Sequence, residues 1–374
     1  MHVSHLSLHA FRSYDSLELS LDRGVTVLVG ANGQGKTNVV EAVDYLSRLT
    51  SHRVAGDAAL VKQGAEQAVV RASVVKDDRE AVLEVEINPG RANRARVNRS
   101  ALPRARDLVG LLRTVLFSPE DLALVKGEPS DRRRFLDDLV VLRTPRLAGV
   151  RADYERVLRQ RNALLKTGPG RGGPDDYFDS TLAVWDDQLV AFGSELTAAR
   201  AALVQELQPL VSEAYAAVAK DAERTDAQVS YEPSVGMSDQ GAWSKAAVAA
   251  AFSEQLRERR TEELRRAVTL VGPHRDELSL AVGTMPAKGY ASHGESWSFA
   301  LALRLAAGNL LRADGDDPVL ILDDVFAELD TLRRDRLADL VADAEQVLVT
   351  AAVPGDVPGL LGGAQLHVHR GSIT

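Results

Sequence analysis

The sequence predicts a glycine-rich turn between a buried strand and a helix near residue 30. Residues 25–29 (VTVLV) form a short apolar run with several β-branched residues, which is typical of a strand covered on both faces. The next residues, Gly30 to Thr37 (GANGQGKT), match the pattern G-x4-G-K-[ST], and helical periodicity begins at Asn38. In this context the pattern predicts a phosphate-binding loop rather than a glycine-rich turn without a ligand.

The residues of this loop predict a site for a nucleotide and a magnesium ion. Backbone N–H groups would converge on phosphate oxygens, and the N-terminus of the following helix would add the positive end of its dipole. The residues that would supply this cradle are Gly30, Ala31, Asn32, Gly33, Gln34 and Gly35. Lys36 would reach the β- and γ-phosphates, and Thr37 would bind Mg²⁺ through its hydroxyl.

A second apolar run, residues 318–323 (PVLILD), ends in Asp323 and is followed by a second acidic residue, Asp324. An apolar strand that ends in a carboxylate places an acid beside the Mg²⁺ of a phosphate loop. Asp323 would hold the metal, directly or through water, and Asp324 would polarise the attacking water. An acidic turn after a strand is the alternative, and the phosphate loop upstream favours the metal site.

The distance between the two motifs predicts a nucleotide-binding head that is split between the ends of the chain. Strand patterns fill the N-terminal part, helical periodicity takes over from about residue 118, and strand patterns return at 276–282. A Gly/Pro-rich loop at 167–176 separates two helical stretches, which predicts an antiparallel helical hairpin. The predicted fold is α/β, with a mixed sheet, an antiparallel flank and an α-helical arm. Its predicted domains are a first lobe at 1–120, the helical insertion at 121–270 and a second lobe at 271–374.

Composition excludes several classes of function. The formal net charge of −8 excludes a globally basic nucleic-acid-binding surface, so contact with DNA would need local patches. The chain has no cysteine, which excludes disulfides, thiolate zinc sites, iron–sulfur clusters and a cysteine nucleophile. No apolar stretch is long enough to span a membrane, and polar residues interrupt the N-terminus where a signal peptide would need an apolar run. We therefore expect a cytoplasmic protein without a membrane partner.

Two local clusters of arginines stand out from the acidic average. The first comprises Arg91, Arg94, Arg96, Arg99, Arg104, Arg106 and Arg113, against a single acidic residue, Asp107. The second comprises Arg132, Arg133, Arg134, Arg151, Arg156, Arg159 and Arg161. Guanidinium groups favour phosphate contacts, so either cluster would support DNA binding that depends on salt and not on sequence. A solvated arginine-rich face is the alternative for both.

For two shorter segments, 292–295 and 274–275, the residues alone allow both a structural and a functional role. Ser292-His293-Gly294-Glu295 begins a predicted helix, where serine, glycine and the helix N-terminus would bind an anion or would simply form an N-cap with an acidic first turn. His274 and Arg275 lie in a turn that enters a strand. Arg275 would pair with Asp276 or a neighbour, or both residues would lie near a nucleotide or an interface.

Together these motifs resemble the ABC-type ATPase heads of the SMC class, and most closely the RecF family of bacterial repair proteins. The resemblance spans nearly the whole chain in order. It rests on FRSY (11–14), GANGQGKTNVVEA (30–42), FSPEDLALVKGEPSDRRRFLD (117–137), GPHRDEL (272–278), ASHGE (291–295) and LDDVFAELD (322–330). The blocks at 117–137 and 272–278 make the resemblance specific, since the phosphate loop alone is generic.

The resemblance implies roles for further residues. Ser292, Gly294 and Glu295 correspond to the signature motif, which contacts the γ-phosphate held by the opposite subunit. ATP would thus join two heads, and Asp330 resembles the aspartate that crosses their interface. Arg12 resembles an arginine near the nucleotide, and Arg53 one that faces nucleotide or DNA. The region of Glu120 and Asp121 stands where other heads carry a metal-ligating glutamine.

The function that the resemblance implies is ATP-dependent DNA binding in recombinational repair. An ATP-driven homodimer would clamp gapped DNA at junctions of single and double strands. It would aid RecA loading with RecR- and RecO-type mediators, and act in replication and SOS induction. Asp324 in place of a glutamate, and the absence of a histidine after Thr350, imply slow, DNA-stimulated hydrolysis. The alternatives are an SMC-type chromosome organiser, which needs longer coiled-coil arms, and a transporter ATPase subunit.

Overall fold

The computed structural model describes residues 1–168, 176–220, 224–237 and 243–374. These residues form two compact units. The first unit comprises Met1–Lys126, Leu210–Ala227 and Val282–Thr374, and the second comprises Gly127–Pro209 and Gln228–Ala281. Within the insertion expected at 121–270, the segment Leu210–Ala227 belongs to the first unit. The predicted Gly/Pro loop lies largely outside the described residues.

The first unit mixes strands with helices, and the second is mainly helical. In chain order the strands are β1 (His2–Phe11), β2 (Tyr14–Ser20), β3 (Gly24–Val29), β4 (Ala68–Lys76), β5 (Arg79–Ile87), β6 (Arg94–Val97), β7 (Ser100–Ala101), β8 (Thr114–Phe117), β9 (Ala227–Glu232), β10 (Glu277–Val282), β11 (Met285–Pro286), β12 (Val319–Asp323), β13 (Gln346–Ala351), β14 (Ala364–His369) and β15 (Ser372–Ile373). The helices are α1 (Lys36–Arg48), α2 (Leu122–Lys126), α3 (Pro129–Arg143), α4 (Leu147–Thr167), α5 (Asp176–Val218), α6 (Lys245–Arg266), α7 (Ala287–Tyr290), α8 (His293–Ala313) and α9 (Thr331–Val341).

A mainly parallel sheet forms the nucleotide-facing part of the first unit. Its strand order is β15-β14-β3-β13-β12-β8, and only the terminal pair β14–β15 is antiparallel. Every residue of β12 and β13 is buried. In β3 the residues from Thr26 to Val29 are buried and Val25 is half-buried, so the strand predicted at 25–29 is covered on both faces along most of its length. Because β13 lies between β3 and β12, the phosphate loop and Asp323 leave the sheet at the same edge, one strand apart.

The predicted antiparallel flank is the second large sheet of this unit, with the order β2-β1-β4-β5-β6-β7. Alternate residues of β4, from Ala68 to Val74, are buried in one core with Val39, Val40 and Val43 of α1. The flank therefore packs on the helix that follows the phosphate loop. Both sheets together confirm the predicted α/β fold with a mixed sheet and an antiparallel flank.

The second unit has a core of its own. Tyr154 and Val157 of α4 pack with Leu189 and Leu196 of α5 and with Phe252 of α6. The two helices on either side of the Gly/Pro loop thus share one hydrophobic core. Among the described helices of the whole chain, none is long and apolar enough to cross a membrane.

Candidate nucleotide-binding site

The phosphate loop is shaped by glycines that no other residue would replace without strain. Gly33 and Gly35 have φ angles of +83° and +113°, in the left-handed region that favours glycine. Gly30 lies against β14, where an added Cβ would stand 2.3 Å from the carbonyl oxygen of Val368. Gly35 is the N-cap of α1 and provides no side-chain cap, so side chains leave the first N–H groups of α1 available to an anion.

Lys36 lies inside this loop rather than in solvent. The residue is 3% exposed, and its Nζ lies 3.4 Å from the carbonyl oxygen of Ala31 and from Oδ1 of Asn32. The ammonium is therefore held over the turn, where a phosphate group would bind. The loop is braced from outside, since the N–H of Arg370 donates to Oε1 of Gln34 at 2.8 Å.

The structure brings the predicted metal-binding residues into direct contact. The hydroxyl of Thr37 donates to Oδ1 of Asp323 at 3.0 Å, although the two residues come from opposite ends of the chain. The hydroxyl of Thr350, at the end of β13, donates to the same Oδ1 at 2.7 Å. Hydroxyl and carboxylate oxygens are the hard donors that Mg²⁺ prefers, so Thr37 and Asp323 fit this ion.

Asp324, the residue after Asp323, lines a cavity of about 260 Å³ together with Asn32, Pro119, Glu328 and Asp356. Its φ of +50° is unusual for a residue with a side chain, and its N–H donates to the Thr350 hydroxyl at 2.9 Å. Burial, and secondarily the charge of Asp323, raise the pKa of Asp324 above its usual value, against the opposing effect of Lys36. A carboxylate with a raised pKa beside the loop suits the predicted role toward water.

Sequence reasoning missed His52, which follows α1. The imidazole lies between two carboxylates, with Nδ1 3.9 Å from Oδ2 of Asp44 and Nε2 3.9 Å from Oδ2 of Asp323. Burial alone would lower the pKa of His52, but Asp323 and Asp44 raise it above its ordinary value. The sequence offers no motif around His52 that could have indicated this contact.

Arg12 and Arg53 meet at one buried carboxylate near the start of α1. Arg12 Nε donates to Oε2 of Glu41 at 2.8 Å, and Arg53 Nη1 lies 3.3 Å from the same oxygen. Arg53 also donates to Oδ1 of Asn38, the second residue after Lys36. Glu41 therefore fixes both guanidinium groups close to the helix that begins in the phosphate loop. A direct contact between either arginine and a nucleotide stays a prediction.

The signature segment forms the N-terminus of α8. The hydroxyl of Ser292 accepts the N–H of Glu295 at 3.2 Å, and Oε2 of Glu295 accepts the N–H of Ser292 at 2.8 Å, which is a capping box. An added Cβ at Gly294 would lie 2.8 Å from Nη2 of Arg333, so the arginine side chain would have to move. In the part of the chain that the structure describes, no hydrogen bond or ion pair joins Ser292, Gly294 or Glu295 to the phosphate loop.

Asp330 is tied to this segment through Arg333. Asp330 caps α9 by accepting the Arg333 N–H at 2.9 Å, and the two side chains form an ion pair. Nε of Arg333 donates to the Ser298 hydroxyl on α8 at 3.0 Å. The two elements expected to meet an opposite subunit are thus held together within one chain.

His274 and Arg275 belong to a polar network inside the second unit. Nδ1 of His274 lies 2.6 Å from the Tyr154 hydroxyl, and Nε of Arg275 donates to the Thr269 carbonyl at 3.3 Å. Burial lowers the pKa of His274 to about 4. Arg275 does not form the pair with Asp276 that was one expectation; Asp276 instead accepts from Tyr231 and Thr197.

Many arginines of the two basic clusters are already paired with carboxylates. In the first cluster, Arg94 and Arg96 contact Glu86 and Glu84, and Arg113 contacts Asp316. Arg91, Arg99 and Arg104 are exposed and form no ion pair with any described residue. In the second cluster the paired residues are Arg132 with Glu277, Arg151 with Asp137, Asp138 and Glu155, Arg156 with Asp153, and Arg161 with Asp186 and Glu263.

The region of Glu120 and Asp121 also has a structural role. Oδ2 of Asp121 accepts the N–H of Ser118 at 3.0 Å, and its Oδ1 accepts from Arg304 at 2.6 Å. Pro119 lines the cavity beside Asp324. The segment therefore reaches the site through Pro119, while Asp121 is engaged elsewhere.

A family model and several known proteins match this chain over nearly its whole length. Residues 2–357 match the family model described as the RecF/RecN/SMC N terminal domain. The chain is 60% identical to the DNA replication and repair protein RecF of Nocardioides sp., over all of this chain and 99% of that relative. It is 57% identical to the protein of the same description from Streptomyces avermitilis, with the same coverage.

Among solved structures, one of RecF resembles the chain more than an Smc head does. A structure described as the recombination mediator protein RecF with ATP in the RecFOR pathway has a TM-score of 0.89 at 26% identity, and covers all of this chain and 97% of that chain. An Smc head domain derived from Pyrococcus furiosus has a TM-score of 0.55 at 16% identity, covering all of this chain and 95% of that chain, which is a likeness of fold alone.

Proposed function

Because the chain belongs to the RecF family of DNA replication and repair proteins, we propose that it works as an ATP-driven clamp on DNA. The observation that carries the proposal is the contact between Thr37 and Asp323 beside the buried Lys36. A triphosphate would lie on the loop with Lys36 at the β- and γ-phosphates, and Thr37 and Asp323 would hold Mg²⁺. The bound ion would neutralise phosphate charge.

The signature segment supports the closing of two heads on each other. Ser292, Gly294 and Glu295 make no hydrogen bond to the phosphate loop of their own chain among the described residues. An anion-binding helix end that stays apart from its own nucleotide is suited to a nucleotide held by a second copy. Two ATP molecules would then lie in the interface, with Asp330 beside them.

We propose that hydrolysis is slow and that it opens the clamp. Asp324 would orient the attacking water, and its short side chain lacks the reach of a glutamate. Thr350, Ala351 and Ala352 end β13 without a histidine. A steady-state turnover above roughly 10 s⁻¹, the median for enzymes, would contradict this part of the proposal.

DNA would be held through the phosphate backbone at the exposed end of the first basic cluster. Arg91, Arg99 and Arg104 are exposed there and lack carboxylate partners within the described ranges. Guanidinium–phosphate contacts of this kind give binding that depends on salt rather than sequence. The clamp would act in the cytoplasm at gapped DNA, and would aid RecA loading, replication and SOS induction with RecR- and RecO-type mediators.

The test is the molar mass of the purified protein by light scattering, with ATP·Mg²⁺, ADP·Mg²⁺ or no nucleotide, and with gapped or continuous duplex DNA. We expect a dimer on gapped DNA with ATP·Mg²⁺ alone, and no dimer for Lys36→Met under any condition. A mass that never changes, together with DNA binding that ignores the nucleotide, would overturn the clamp even if the loop binds ATP.

A further inference from the structure

His52 stands behind the metal site, and the proposed function gives it no role. Its side chain is 13% exposed, and both ring nitrogens are shielded from solvent. Neither nitrogen has a hydrogen-bond partner among the described residues. Each nitrogen instead faces one carboxylate oxygen at 3.9 Å, Oδ2 of Asp44 on one side and Oδ2 of Asp323 on the other.

His52 faces the second oxygen of each of the two carboxylates. Oδ1 of Asp323 accepts hydrogen bonds from Thr37 and Thr350. Oδ1 of Asp44 accepts from the Thr114 hydroxyl at 2.7 Å and from Nε of Arg48 at 3.0 Å. His52 therefore bridges the second oxygen of a firmly anchored carboxylate, Asp44, and the second oxygen of the metal-site carboxylate, Asp323.

This bridge matters because a carboxylate group turns easily about its last torsion. The terminal torsion of aspartate has broad wells, so contacts to one oxygen leave the plane of the group poorly fixed. A group that holds the opposite oxygen fixes that plane. In known metal sites, groups behind the ligands orient them in this way, and their loss weakens metal binding by about 10–100-fold.

We infer that His52 is a positioning residue for Mg²⁺, which holds Asp323 so that Oδ1 stays beside the Thr37 hydroxyl. The inference rests on the proposed nucleotide function. His52 touches neither metal nor nucleotide in this role, and acts through Asp323. Arg48 and Thr114 hold Asp44 in place, and Asp44 in turn keeps the imidazole in position.

The test separates binding that needs the metal from binding that does not. The fluorescent analogue mant-ATP is titrated into the full-length protein with excess Mg²⁺ or with EDTA, and the Mg²⁺ concentration that gives half of the metal-dependent gain in affinity is measured. The variants are His52→Ala and His52→Gln, with Thr37→Val as a direct-ligand reference. His9→Ala, which changes an exposed histidine of β1, is the matched control.

We expect His52→Ala to weaken binding by about 10-fold with Mg²⁺ and to raise the Mg²⁺ midpoint by a similar factor. Binding in EDTA should be unchanged. Thr37→Val should show the same pattern, and His9→Ala should behave as wild type. His52→Gln should recover part of the loss, because its amide N–H can face a carboxylate oxygen as the imidazole does.

Three results would overturn the inference. His52→Ala could keep the wild-type Mg²⁺ midpoint, or it could lose affinity equally with Mg²⁺ and EDTA, as expected if the ring only supports the loop. His52→Gln could also fold as wild type in thermal unfolding and bind no better than His52→Ala. If the wild type binds mant-ATP under neither condition, the proposed function itself fails and the inference falls with it.

Discussion

Replacing Arg161 tests whether the second unit depends on a buried ion pair. The guanidinium of Arg161 is fully buried, and Nη2 donates to Oε2 of the equally buried Glu263 at 2.6 Å. Nε donates to Asp186 at 2.7 Å and Nη1 to the Thr269 hydroxyl at 2.8 Å. Arg161→Met keeps much of the apolar stem and removes all three contacts.

Arg161→Met should lower the free energy of unfolding, because it leaves the charge of Glu263 buried without its partner. Breaking a buried pair by removing one partner costs about 3–5 kcal/mol, because the remaining charge is buried without compensation. Domains of this size are stable by only about 5–15 kcal/mol, so Arg161→Met should bring the unit close to unfolding. Adding Glu263→Met removes the carboxylate that has lost its guanidinium and should recover part of the loss. The recovery is partial because the Leu270 N–H, which donates to Oε1 of Glu263 at 2.8 Å, loses its acceptor. Asp186 keeps its ion pair with Arg260 in both variants.

The assay is urea unfolding followed by tryptophan fluorescence in a Trp297→Phe background. The remaining tryptophans, Trp185 and Trp243, pack against the core of the second unit, so the signal reports that unit. Arg159→Met, an exposed position of the same helix, is the control and should change the stability little. Two results would show that the second unit does not depend on this ion pair: a loss below about 1 kcal/mol for Arg161→Met, or a loss in the double variant equal to the sum of the two single losses.

Three further outcomes are expected. Gly30→Ala should abolish binding of mant-ATP, since its Cβ would meet a backbone carbonyl at 2.3 Å, whereas Gly56→Ala, which meets nothing within 4 Å, should bind as wild type. Burial lowers the pKa of His274 from 6.5 to about 4, so the unfolded chain takes up a proton that the folded chain does not. Stability should therefore fall between pH 6.5 and 4, by at most about 3 kcal/mol, and His274→Gln should flatten this pH dependence of the urea midpoint. Replacing Arg99 and Arg104 together by glutamine should reduce the slope of log affinity for DNA against log salt by about 2; an unchanged slope would remove this face from the DNA contact.

The strands and the phosphate loop were predictable because their signals are local. A β-branched apolar run, a glycine turn and a lysine followed by threonine specify strand, loop and helix within fifteen or so neighbouring positions. The buried run before Asp323 carries the same kind of information. The RecF resemblance then linked the two ends of the chain, and the hydrogen bond between Thr37 and Asp323 has the partners that this link requires.

Some features of the site could not be predicted, because they depend on contacts between residues that are distant in the sequence. The need for glycine at position 30 comes from Val368 on β14, a strand that the pattern did not reveal. His52 has no motif, and only the fold brings it between Asp44 and Asp323. Counting arginines overstated the basic surfaces, because cross-strand carboxylates such as Glu84 neutralise part of the first cluster.

In the proposed clamp, ATP on one chain is bound by the signature segment of another, and a mixture of two inactive variants reports on this contact. Lys36→Met removes the nucleotide site, and Ser292→Arg removes the signature serine. Losing the Ser292 cap costs only about 1 kcal/mol, so the second variant should still fold. A mixture contains heterodimers in which one composite site keeps both Lys36 and Ser292.

The molar mass is measured by light scattering in ATP·Mg²⁺ with gapped DNA, for each variant alone and for the mixture. We expect monomers from each variant alone and a dimer fraction from the mixture. A Ser292→Arg protein that dimerises like wild type, or a mixture that stays monomeric while the wild type dimerises, would contradict a site shared between two chains.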